Sequence, residues 1–120
     1  MKTLTDEDLI LISGYLTNYS TGDKSYFWAY EEIVEMTSTD PERLWLLMLE
    51  MIRRTTDEET LAYIAAGPLE DLLKDHGNEF IERIENLARS DQRFRSALAG
   101  VWGLHGEICA HILKACGKHP

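Results

Sequence analysis

A proline stands in the middle of a helical pattern at the centre of this chain. In Ala65-Ala66-Gly67-Pro68-Leu69-Glu70-Asp71-Leu72-Leu73, apolar or small residues recur at 61, 64, 65, 68, 69, 72 and 73. That spacing is one face of a helix running straight through the Gly-Pro pair. Pro68 has no N–H to donate and its ring clashes with the carbonyl of Ile64, so a regular α-helix is excluded at this point. The pattern predicts two helices, with Gly67 closing the first and Pro68 opening the second at its first position. Any fold for this chain must re-aim the backbone here.

Helical periodicity with local start signals fills the rest. Thr5 is a good N-cap, and Asp6, Glu7 and Asp8 suit the positive end of a helix whose buried face is expected at Leu9, Ile10, Ile12 and Leu16. A second helix over about 25–37 turns Tyr26, Ala29, Tyr30, Ile33 and Val34 inward. Asp40-Pro41-Glu42 opens a third, almost wholly apolar from Leu44 to Ile52, with Arg43, Glu50 and Arg54 forming a narrow polar stripe. A helix with so narrow a polar stripe is wrapped on most sides and forms the centre of a core. Further helices are expected over about 57–65, 68–75, 78–88, 90–102 and 107–115, with a break around Gly103 to Gly106. Glu79 with Arg83 and Glu85 with Arg89 stand at helical pair spacing.

No useful β-alternation occurs. The expectation is an all-α fold: one compact helical domain over residues 1–120, with about seven or eight short antiparallel helices. The Asp-led starts at Asp40, Asp57 and Asp91 faintly echo HEAT-like helical hairpins. Their period is irregular, and a closed bundle and a short solenoid both stay open.

Charge narrows the partners. The net charge is −9, and residues 1–60 carry thirteen acids and five bases, a net −8. Phosphate contacts need clustered Lys and Arg, so nucleic acid is not an expected partner. The longest unbroken apolar run, Leu44 to Leu49, is far short of a membrane span, and the acidic N-terminal residues do not read as a secretory signal. A cytoplasmic protein is expected, with Cys109 and Cys116 as free thiols.

Three stretches could carry a site. Trp28 shares a helix side with Glu31, Glu32 and Glu35, an aromatic anchor among acids that suits a basic protein partner. Its plainer reading is packing against the first helix. Tyr63, Glu70 and Asp71 gather carboxylates and a phenol at the Gly67-Pro68 joint, the raw material of a small enzyme or ligand site. Adjacent helical residues point about 100° apart, however, and Glu70 also fits a helix start, where a carboxylate meets exposed N–H groups. His105, Cys109 and Cys116, with His111 and His119 nearby, offer no four-ligand spacing, so neither metal nor cofactor is expected. Nucleophile motifs, phosphate loops and dinucleotide fingerprints are absent.

Three motifs in order carry a resemblance. Asp40-Pro41-Glu42-Arg43-Leu44-Trp45, Ala65-Ala66-Gly67-Pro68-Leu69-Glu70-Asp71-Leu72-Leu73 and Phe94-Arg95-Ser96-Ala97-Leu98-Ala99-Gly100-Val101-Trp102 resemble a family of small bacterial domains of unknown function, over roughly residues 26–103. The resemblance implies a bacterial, helical, single domain and brings no catalytic residues with it. The expected function is a non-enzymatic, acidic protein–protein interaction domain docking through Trp28, Glu31, Glu32 and Glu35, with an immunity-like or inhibitory role as one concrete version. The alternative is a small enzyme or ligand-binding domain at Tyr63, Glu70 and Asp71.

Overall fold

A computed structural model describes residues 3–101 and 103–117 of the chain, with no side-chain description for 103–105 and 117. Its described residues are helical, without strands. The order is α1 (Asp6–Thr21), a single 3₁₀ turn (Lys24–Tyr26), α2 (Phe27–Thr39), α3 (Pro41–Arg54), α4 (Glu58–Ile64), a π-helical segment (Ala65–Leu69), α5 (Glu70–Ser90), α6 (Gln92–Leu98) and α7 (Gly103–Gly117).

Local chemistry sets most of these starts. The Thr5 hydroxyl accepts from the Asp8 N–H while the Asp8 carboxylate accepts from the Thr5 N–H, a reciprocal capping box. Asp40, Asp57 and Asp91 each accept a hydrogen bond from the backbone N–H three residues on, satisfying donors that helix geometry leaves over. Gly22 closes α1 with φ of 70°, a left-handed position that suits glycine.

The central joint departs from the expected pair of helices. The chain does not stop at Gly67; α4 passes through a widened π turn, with Pro68 buried inside it, directly into α5. The Glu70 N–H reaches back to the carbonyl of Ala65, five residues away. A π turn tolerates the missing N–H and the ring of proline where α-helical spacing would not. The helices expected over 68–75 and 78–88 run on as α5, and the boundary expected between them is present as a kink at His76, whose φ of −137° and ψ of 29° are not helical. The His76 Nε2 lies 2.7 Å from the carbonyl of Thr37, tying the bend to the end of α2. Taking the α4–α5 run as one body leaves six helices among the described residues, against seven or eight expected.

The core sits around α3, which packs against α1, α2, α4, α5 and α6. Leu44, Leu47, Met48 and Met51 are fully enclosed, and the Trp45 ring meets Phe80 at 5.5 Å and Phe94 edge-on at 6.0 Å.

Several expected faces are rotated. In α1 the buried side is Asp8, Leu11, Ile12 and Tyr15, and Ile10 is 61% exposed. In α2 Met36 and Thr37 are inside, whereas Tyr26 and Val34 are exposed. In α7 Cys109 and Ile112 are inside and Ile108 is exposed. The C-terminal break falls at Ala99–Val101, before the expected one, and α7 already starts at Gly103. A Cβ on Gly106 would lie 2.7 Å from the Val101 carbonyl oxygen, so close packing accounts for that glycine. Arg83 grips Glu42 on α3 with two 2.8 Å hydrogen bonds, while the Glu79 carboxylate lies 3.5 Å from the His76 ring.

Candidate functional site

The side of Trp28 faces a groove of about 460 Å³ between α1 and α2. Behind Trp28 the helices pack closely at Gly14, where a Cβ would lie 3.0 Å from the Ala29 Cβ and 3.2 Å from the Trp28 ring and would press the neighbours apart. The indole lies against α1 and is still 43% exposed, so packing on the first helix and availability to a partner coexist. Ile10, across from it on α1, is exposed as well, and Leu11 and Met36 line the groove between them. Glu7, Glu32 and Glu35 also line the groove, and among the described residues their carboxylates form no hydrogen bond or ion pair. Glu31 is exposed on α2 but does not line it.

Arg43, the basic residue of this groove, is already engaged. Its Nε donates to the Asp8 carboxylate at 2.7 Å and its Nη2 makes a second, very short contact to the same oxygen. Burial alone would raise the Asp8 carboxyl, but hydrogen bonds from the Thr5 N–H and Arg43, with the guanidinium charge, hold it below its ordinary value. The groove therefore presents apolar surface framed by three glutamates and one arginine, a net negative charge.

The joint holds a tyrosine cluster. Tyr63 stacks on Tyr19 at 4.0 Å and tilts against Tyr15 at 5.4 Å, while Tyr15 stacks on Tyr30 at 6.4 Å. The Tyr15 hydroxyl lies 3.1 Å from where a Cβ on Gly67 would stand, so the glycine of the π segment makes room for it. Burial pushes the hydroxyls of Tyr15 and Tyr63 up. Asp71 is raised by burial and by the charges of Asp75 and Glu70, and its own charge reaches Tyr15. Glu70 also acts on the buried Cys109 thiol of α7, which burial first and Glu70 second push up to about 11. Tyr63 and Asp71 share Tyr15 as a neighbour, and Glu70 reaches both Asp71 and Cys109.

At the C-terminus Cys109 is buried and Cys116 half-buried, both as free thiols, and His111 is exposed. No group of three His, Cys, Asp or Glu among the described residues is placed to hold a metal ion. Trp102, His105 and His119 lie outside the described side chains.

Sequence reasoning missed one surface. Beside α3 lies an apolar slot of about 510 Å³, walled by Leu4, Leu46, Leu49, Ile52 and Leu87. Its signal was present: Leu46 falls on the same helical side as Arg43, Glu50 and Arg53, so one leucine interrupts the polar stripe of the core helix. Between slot and groove is a third concavity of about 640 Å³ at the N-termini of α1 and α3. Among the described residues no helix is long and apolar enough to cross a membrane.

A family model described as "Family of unknown function (DUF6869)" matches residues 17–118. No curated protein and no solved structure matches the chain.

Proposed function

The chain belongs to this family of unknown function, and we propose that it is a non-enzymatic, acidic docking domain that seats a basic helix of another protein in the α1/α2 groove. One observation carries the reading: Trp28 and Ile10 stand exposed together beside Glu7, Glu32 and Glu35, whose carboxylates form no hydrogen bond or ion pair among the described residues. Exposed tryptophan is a common anchor of interfaces, and uncompensated acids around it favour an arriving Lys or Arg. A second copy of this chain fits poorly, because it brings the same −9 charge to the same face. An inhibitory, immunity-like role, in which the domain covers a basic surface of its partner, is the concrete form of this reading.

The test uses a synthetic amphipathic helix of leucine and lysine titrated into the full chain and followed by NMR. The Trp28 indole N–H and the Ile10 methyls are expected to shift, and a peptide with glutamate in place of lysine is expected to leave them still. Trp28→Ala with Glu32→Lys should weaken binding about tenfold or more, a loss of about 1.4 kcal/mol per factor of ten. Unchanged affinity in that double variant would sink the proposed face.

A further inference from the structure

We propose that the bound helix does not end in the α1/α2 groove but continues over the N-termini of α1 and α3 and buries a second, purely apolar anchor in the α3 slot. This rests on the docking reading above and extends it to the pattern of the partner. The three concavities adjoin one another and share walls. Glu7 and Arg43 belong to both the groove and the middle concavity, and Leu4 and Leu46 to both the middle concavity and the slot.

Chemistry changes along this track. Over the middle stand Asp6, Glu7, Asp8 and Asp40 against Arg43, four acids and one base, a net −3. In the slot every charge has an internal partner. Glu50 accepts from Arg53 at 3.0 Å and from Arg54 at 2.8 Å, and the Arg53 hydrogen bond leads in holding its carboxyl down to about 2. Arg93 donates to the carbonyl of Thr55, and Asp91 accepts from the Phe94 N–H at 3.0 Å. What the slot leaves unsatisfied is leucine: Leu46 and Leu49 are only half-covered although they belong to the core helix.

The occupant that fits is one amphipathic helix, basic over the groove and the middle and uncharged where it reaches Leu46 and Leu49. Asp40 and Ile52 are twelve residues apart on α3, about 18 Å by the helical rise, and a helix of about twenty residues spans about 30 Å. Among the described residues, the bases of α6 are held internally, Arg93 by the Thr55 carbonyl and Arg95 by the Ala88 carbonyl at 2.7 Å.

Two peptides of about twenty residues, titrated into the full chain, test the track. Both carry a leucine anchor followed by a lysine run; one ends in a second leucine pair, replaced by serine in the other. Loss of the second anchor is expected to weaken binding about tenfold or more, as burial of apolar side chains implies. Methyl resonances of Leu46, Leu49 and Leu87 should move with the first peptide only, and the Trp28 indole with both. Leu46→Lys, shown to be folded by its unchanged circular dichroism, should abolish the discrimination between the peptides. Equal affinities with still slot resonances would overturn the continuous track and leave docking at Trp28 intact. Discrimination that survives in Leu46→Lys would likewise overturn it. If neither peptide binds, the docking reading falls, and the track with it.

Discussion

Asp8 is a carboxylate with only 5% of its side chain exposed, yet it stays charged because the Thr5 N–H, the Arg43 guanidinium and the α1 N-terminus all favour the anion. Its folded pKa lies below the ordinary 3.8, so its contribution to stability is complete above that value and is lost as pH falls below it. Asp8→Asn removes the charged hydrogen bonds and weakens the cap, with an expected loss of about 2 kcal/mol at pH 7. Chemical denaturation at pH 7 and pH 3 should show the gap between wild type and variant narrowing in acid. Asp71 has the opposite sign. Burial, Asp75 and Glu70 raise it, so ionisation at neutral pH works against the fold. Asp71→Asn is expected to raise the Tm slightly at pH 7, by an amount reduced by solvent screening, and to lose that effect well below pH 3.8, where folded and unfolded states are both protonated. A lowered Tm at pH 7 would show that the carboxylate has a favourable role at the joint.

Among the helices, the run from α4 to α5 shows how a single turn sets everything after it. The π segment gives α5 its rotation about the common axis, and that rotation brings Leu72, Leu73, Phe80 and Ile84 inward together. Inserting one alanine after Ala66 would turn α5 by about 100° and should abolish cooperative unfolding in a thermal melt. Pro68→Ala should cost only about 1 kcal/mol, through a smaller buried side chain and a freer unfolded chain, and keep the fold. These starts and stops differ in how far the sequence reveals them. The caps at Thr5, Asp40, Asp57 and Asp91 were legible because each is a contact within three residues. The π turn was not, because continuing or breaking at Pro68 is decided by what α5 packs against. Ile10 and Val34 were read inward because their neighbours are apolar; Asp8, inside with an arginine, hid the true period of α1. Trp28 could be singled out from spacing alone, since its companions at 31, 32 and 35 are acids. For the α3 slot the sequence holds only a partial signal, Leu46 within the polar side of α3, because the slot itself depends on which elements fail to cover that helix.

Across the molecule, negative charge and the proposed docking surface coincide. The acids that wall the groove lie in the half of the chain carrying −8 of the −9 total, and they are unpaired while Glu50 and Asp8 hold arginines. Repulsion among separated surface charges is screened strongly once the Debye length falls to about 10 Å, whereas pairs in contact such as Arg83–Glu42 at 2.8 Å are screened less. Raising sodium chloride from about 10 mM to about 300 mM should therefore raise the Tm of the free domain while weakening its hold on a lysine-rich helix. The same logic makes the groove acids distinguishable from structural ones. If they are kept for a partner, reversing two of them relieves repulsion and should stabilise the free chain. Glu32→Lys with Glu35→Lys is expected to raise the Tm at low salt by about 1–3 °C, with the gain shrinking at high salt, and to lose affinity for the basic peptide. A fall in Tm instead would mark these acids as part of the fold's own electrostatics, and docking would then have only Trp28 and Ile10 to rest on.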